Sequence, residues 1–262
     1  MVDPGVELAL ALGAGVYVVG LRRAWRTAGP RRLVTPAQVG FALAGWCATA
    51  IALLPPLDTA AARSLTAHMA QHVLLLAVAA PLLAAGAPLR GVVWALPASW
   101  RRPALARLRR VAYGRHRRWT AWAVGALLTQ TVVMWGWHAP ALYQAALRQP
   151  VLHALEHASY LMTATAFWWA IGLGSGRPRG ASVLLVFAAA LPGSALGAAM
   201  TLAATPWYRA YPSLADQQQA GVVMWAFSGL AYVLVAAVVF GAWLSGTERD
   251  TPGRPLATVV VP

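Results

Sequence analysis

The sequence predicts an all-α membrane protein, a bundle of seven spanning helices, and three observations carry that prediction. First, 59% of the 262 residues are apolar and only 11% are charged, too few charges to cover a water-soluble domain of this length. Second, seven segments each supply the roughly 20 mostly apolar residues that cross a bilayer: about 5–24, 36–55, 67–88, 119–138, 151–173, 181–204 and 218–244. Third, the arginines segregate to alternate connectors. There is no strand-like alternation and no fixed-period repeat, so one integral membrane domain over 1–262 is expected.

The elements follow in order. Asp3 and Glu7 precede or open the first segment and Arg22, Arg23 and Arg26 follow it. A signal peptide shows the reverse charge order, so this segment reads as a span. The one cysteine, Cys47, lies inside the second apolar run; it permits no disulfide framework within the chain and reads as a small core residue. Pro81, Pro88 and Pro192 fall inside or near the ends of spans, where they kink a helix without abolishing it.

All 21 basic residues are arginine. The first connector holds Arg22, Arg23, Arg26, Arg31 and Arg32. The third holds Arg90, Arg101, Arg102, Arg107, Arg109, Arg110, Arg115, Arg117 and Arg118. Arg177 and Arg179 follow the fifth span, and Arg249 and Arg254 the seventh. Only Arg63, Arg148 and Arg209 fall on the other side. This imbalance places the N-terminus outside and the C-terminus in the cytoplasm. The net charge of +14 is then mainly a topology signal. It calls for a lipid bilayer, and no nucleic acid is expected as a partner. The basic stretch "SWRRPALARLRRVAYGRHRRW" suits anionic headgroups, and His116 within it reads as an interfacial contact.

Orientation sorts the unusual residues by depth. His68, Met69 and His72 enter the third span from outside, while Met134 and His138 close the fourth on that side. His153, Glu156 and His157 open the fifth, and Asp216 precedes the apolar part of the seventh. Five of six histidines therefore share the outer leaflet. His68 and His72 are four apart and lie on one helix face; His153, Glu156 and His157 are related by three and four and share another. Ionisable groups in lipid usually face one another or a cavity.

Each residue alone has an ordinary reading. A single membrane histidine bridges helices, and Met134, Met162, Met200 and Met224 pack. Trp135 and Trp137 of "WGWH" anchor at an interface, and Asp216 caps the helix beginning near Gln218. Five imidazoles in one layer exceed what interhelical bonding needs, so His68, His72, His138, His153 and His157, with Met69 and Met134, are candidate metal ligands. Imidazole with thioether favours copper, and Glu156 and Asp216 are candidates to orient the ligands. Two alternatives stay open. His153-Ala-Leu-Glu156-His157 has the form H-x-x-E-H of inverted zinc proteases, with Glu156 as general base and a carboxylate such as Asp216 as third ligand. Two facing histidines could also hold a haem.

Four stretches in order, "HMAQHVLLLAVAAPLLAAGAP" (68–88), "WGWHAPALYQAAL" (135–147), "HALEHASYLMTATAFWW" (153–169) and "DQQQAGVVMW" (216–225), resemble the successive signatures of the CtaG family of bacterial cytochrome c oxidase assembly proteins. The resemblance covers about residues 65–230. It implies a multi-pass protein of the bacterial plasma membrane, an assembly factor rather than an enzyme, needed to form active haem–copper oxidase of the caa type. A part in copper delivery is proposed for the family, which implies a copper donor and an oxidase subunit as partners. By motif position it singles out His68, Met69, His72, His138, His153, Glu156, His157 and Asp216. The "AAP" at 79–81 departs from a more proline-rich family pattern, which bears on kink geometry rather than on ligands.

Overall fold

The computed structural model describes residues 4–29, 32–173 and 180–250. Asp3, Arg31, Arg177, Arg179 and Arg254, and the side chains of Arg115, His116, Arg117 and Arg249, lie outside the described set. Every regular element described is helical. Helix α1 (Pro4–Ala28) is followed by α2 (Pro36–Leu53), which starts on a capping box. There the Gln38 backbone N–H donates to Thr35 Oγ1 at 3.2 Å, and the Thr35 N–H donates to Gln38 Oε1 at 3.0 Å. Short α3 (Leu57–Ala61) leads to a composite helix: α4 (Leu65–Val73), a π-helical segment (Leu74–Ala79) and α5 (Ala80–Gly86). The chain turns at Ala87, which holds φ at 47°, into α6 (Pro88–Ala95) and then α7 (Ala98–Arg117), which carries the basic stretch. Helices α8 (Trp119–His138), α9 (Pro140–Arg148), α10 (Pro150–Ala170) and α11 (Gly180–Leu202) follow. A second composite of α12 (Leu214–Val222), a π-helical segment (Val223–Phe227) and α13 (Ser228–Asp250) ends the described chain.

Five helical segments among the described residues are long and apolar enough to cross a membrane: Gly5–Ala28, Pro36–Ala61, Leu65–Gly86, Gly180–Leu202 and Leu214–Ser245. The other two expected spans are helices of matching length, 20 and 21 residues, but they are less apolar. In α10 the polar load is His153, Glu156 and His157. The surface is inverted relative to a soluble protein: Leu8, Val132, Leu184, Leu191 and Val238 are exposed, while Gln71, Gln130 and Glu156 are buried. Lipid solvates the first group, and the polar groups turn inward. Cys47 follows the same logic. It is exposed rather than a core residue, because in a bilayer an apolar side chain gains little by facing inward.

Three devices fix the helices that carry the histidines. Asp216 reaches from α12 to the first turn of α4, where its carboxylate accepts from Leu65 N–H (2.7 Å), Thr66 N–H (3.2 Å), Ser64 Oγ (2.9 Å) and Thr66 Oγ1 (2.6 Å). Negative charge at a helix N-terminus, bonded to its free amides, is stabilising. Pro81 explains the first π-helical segment. The Ala80 N–H bonds back to Leu75 O, Pro81 has no N–H to give, and the Leu76 carbonyl is left over. Trp168 Nε1 fills that vacancy by donating to Leu76 O at 3.1 Å, tying α10 to the composite helix. Finally, Gly197 and Gly221 bring α11 and α12 into backbone contact; a β-carbon on Gly221 would stand 2.5 Å from Gly197 O.

Candidate metal centre

The structure brings His68, His72, His138, His153 and His157 into one layer. His68 ring centroids lie 4.6 Å from His72, 5.3 Å from His153 and 5.9 Å from His157. His72 lies 5.5 Å from His138 and 5.4 Å from His157. His68, His72, His138 and His157 are buried, and Glu156 is 0% exposed. Glu156 Oε1 stands 3.6 Å from His72 Nε2. Two groups place their ligand atoms within 4.8 Å of one another: His68, His153 and His157, and His68, His72 and Glu156. His68 belongs to both.

The hydrogen bonds assign tautomers. Tyr211 donates its hydroxyl proton to Ala61 O at 2.7 Å, so at 3.2 Å its oxygen accepts from His68 Nδ1–H. His68 Nε2 is then the bare nitrogen, and it has no hydrogen-bond partner. His138 Nδ1 is 2.8 Å from Met134 O; a carbonyl only accepts, so Nδ1 carries the proton and Nε2 is bare. That bare nitrogen lies 3.4 Å from Met69 Sδ. With no proton between them this is no hydrogen bond but two lone pairs face to face, a gap that suits a cation. Anchoring one imidazole nitrogen to a carbonyl or hydroxyl is how protein ligands present the other to a metal.

Both nitrogens of His72, Nε2 of His157 and Oε2 of Glu156 are also buried without hydrogen-bond partners. Buried polar atoms are nearly always bonded, and leaving one unmade costs about 1–3 kcal/mol. Several in one layer fit a bound cation, which would satisfy them together. Access is present. A cleft of about 590 Å³ reaches His68, His153 and His157, with Asp58 on its wall. Asp58 accepts from Gln71 Nε2 at 3.3 Å and adds negative charge on the way in.

Among the remaining sequence-derived candidates, Met69 and Met134 are buried, Met69 beside His138 and Met134 beneath it. Asp216 bonds to the α4 terminus rather than to an imidazole and joins neither three-ligand group. Its expected role of capping its own helix belongs to Ser213, which accepts from the Asp216 N–H. Met162 is exposed. Four residues were missed in the sequence. Tyr143, Tyr160, Tyr208 and Tyr211, all at most 4% exposed, form a collar around the imidazoles. Tyr143 stacks on Tyr208 at 4.1 Å and lies 5.3 Å from His68. Tyr208 donates to His138 O at 2.9 Å, and Tyr160 to Glu156 Oε1 at 3.5 Å. For Tyr143, Tyr208 and Tyr211 the signal was their position, in "ALYQ" and "YRAYP" on the same side as the histidines; for Tyr160 it was the spacing of four from Glu156 on α10. Burial, together with the nearby Asp216 and Glu156 charges, holds the Tyr211 hydroxyl well above its usual pKa, so it keeps its proton and its role as anchor.

The fold and the layer together define a multi-pass membrane protein with a preformed, buried imidazole–carboxylate–thioether cluster. The chain belongs to the cytochrome c oxidase caa3 assembly factor family, whose model matches residues 15–246. No curated protein and no solved structure matches it.

Proposed function

We propose that this chain takes up copper at the histidine layer and passes it to a subunit of the oxidase that its family assembles, acting as a metallochaperone rather than an enzyme. The observation that supports this reading best is the set of buried nitrogens, the bare His68 Nε2 and His138 Nε2 and the unpartnered His157 Nε2, with a thioether 3.4 Å from one of them. Nitrogen with sulfur is the donor set that favours copper(I) among the common ions. The excess of ligands over four positions lets an incoming ion exchange partners without being released. Copper is cargo here; the residues bind it, orient it and keep water away.

The arginine distribution, the five apolar helices of spanning length and the matching lengths of α8 and α10 support a seven-span topology, N-terminus outside and C-terminus cytoplasmic, in the bacterial plasma membrane. The cleft then faces the outside, where a copper donor would dock. Anaerobically purified protein should carry copper, or bind added copper(I), and His72→Ala should abolish both binding and oxidase maturation. Protein that binds no copper while the His72→Ala strain matures its oxidase normally overturns the proposal. Stoichiometric zinc with a cleaved product lost in Glu156→Gln, or a Soret absorption band, would replace it with a hydrolase or a haem protein.

A further inference from the structure

Below the histidine layer lies a second, smaller cavity of about 30 Å³ between α8, α11 and the second π-helical segment. That volume holds one ion or one water. Its lining includes Met134, Met224, Gln130, Gly193 and, at its upper end, His72. We infer that this cavity is a separate site for a soft monovalent cation of the copper(I) class, held by the thioethers of Met134 and Met224 and reached from the histidine layer through His72. The inference rests on the proposed copper role and adds the position an ion occupies after it leaves the imidazoles.

Four observations carry it. Met134 and Met224 come from different helices, are 6% and 3% exposed, and line the same space. The Met134 sulfur faces α11, since a β-carbon at Gly193 would meet only that atom, at 3.9 Å; glycine keeps the room beside the sulfur open. Gln130 is 4% exposed, bonds to the Tyr232 hydroxyl at one end (3.3 Å) and has no partner for Oε1 at the other. An apolar core would not place an unpaired amide oxygen there. His72 lines this cavity while its Nε2 faces Glu156, and neither of its nitrogens has a hydrogen-bond partner. One imidazole thus stands between the two compartments.

The backbone around the cavity is also unusual. Both π-helical segments flank it, Leu76 from one and Met224 from the other, and π-helical turns gather at functional sites. Pro192 removes a donor from α11 beside Gly193. The donor character changes along the path: imidazole and carboxylate above, thioether and amide oxygen below. A borderline dication such as zinc(II) suits the upper layer alone, whereas copper(I) suits both.

The test uses the full chain, purified anaerobically in detergent and loaded with copper(I) or zinc(II). Met69→Leu removes the thioether of the upper layer. X-ray absorption of that variant loaded with copper(I) should still show a sulfur shell, and adding Met134→Leu and Met224→Leu should remove it. Zinc(II) binding should persist in every variant, which also shows that each is folded. Loss of all copper–sulfur scattering in Met69→Leu alone overturns the lower site and leaves the histidine proposal standing. Failure of the wild-type chain to bind either metal overturns both.

Discussion

The edge of the bundle and its centre are held together by opposite means. At the edge, α1 packs on α6 mainly by close backbone approach: a β-carbon on Gly20 would overlap the Gly91 carbonyl, and one on Gly91 would stand 2.5 Å from the Tyr17 ring. One exposed polar contact, Arg23 Nη1 donating to Ala95 O at 2.6 Å, lies at the end of the pair. Close backbone approach and dispersion are what lipid leaves available for helix association. At the centre, α4, α8 and α10 meet over five imidazoles and a carboxylate, with at least five buried nitrogen and oxygen atoms unpartnered. The edge is built for stability. The centre is built against it, and the proposed ion would complete it.

The sharpest way to break that contrast is to replace two of the proposed central ligands with apolar residues. His68→Leu with His157→Leu should abolish copper binding while leaving the metal-free protein as stable as before, or more so, because unpartnered polar groups are replaced by packing. Thermal unfolding in detergent checks it: the wild type should gain about 2.7 kcal/mol at a metal concentration 100 times its dissociation constant, and the variant nothing. A metal-free variant that melts well below the wild type would mean that the histidines are structural. The converse change belongs at the edge. Gly20→Val forces α1 from α6 and should cost roughly 1–3 kcal/mol, with metal affinity per folded molecule unchanged. If affinity drops as well, the two regions are not independent.

How much of this was legible in the sequence follows the same division. Apolar run length located the five apolar helices long enough to cross a membrane, and helices of matching length at the other two expected spans, because a bilayer demands it of each helix separately. The layer of five histidines was also readable, since arginine counting set the depth and spacing of three and four set the faces. What escaped was whatever depends on a partner distant in sequence. Asp216 looked like a local cap, yet it serves a helix about 150 residues earlier. Three of the collar tyrosines, Tyr143, Tyr208 and Tyr211, sit between the long helices with no periodicity to expose them, whereas Tyr160 follows Glu156 by four on α10. The first π-helical segment depends on Trp168 meeting the carbonyl that Pro81 leaves free, a pairing visible only once α10 lies against the composite helix. Cys47 was misplaced because burial in a membrane protein does not follow apolarity.

Asp216 sharpens the comparison at smaller scale, since it holds the start of α4 and joins neither three-ligand group. Asp216→Ala removes an acceptor shared by two amides and two hydroxyls at the start of α4. By analogy with lost N-caps it should cost about 1–2 kcal/mol. The effect should appear as faster hydrogen exchange at residues 65–67 and a modest loss of metal affinity, because His68 lies in the turn that frays. Complete loss of binding would instead make Asp216 a ligand, contrary to its absence from both three-ligand groups.

Trp168→Phe should have the smallest effect and separates the two regions most finely. The ring still fills its pocket, but Leu76 O loses its donor, and interhelical hydrogen bonds in membranes average about 0.6 kcal/mol. Leu76 lines the lower cavity, and its carbonyl is free only because the helix is π-wound there. Without Trp168, that carbonyl regains a partner most cheaply if water enters or the segment rewinds. Either would disturb the thioether compartment before the histidine layer. The expected outcome is therefore a slight fall in melting temperature, unchanged zinc(II) affinity and a measurable change in the copper(I) sulfur shell. A variant whose zinc(II) and copper(I) sites weaken equally would show that α10 transmits strain to the whole centre, and that the two compartments are one.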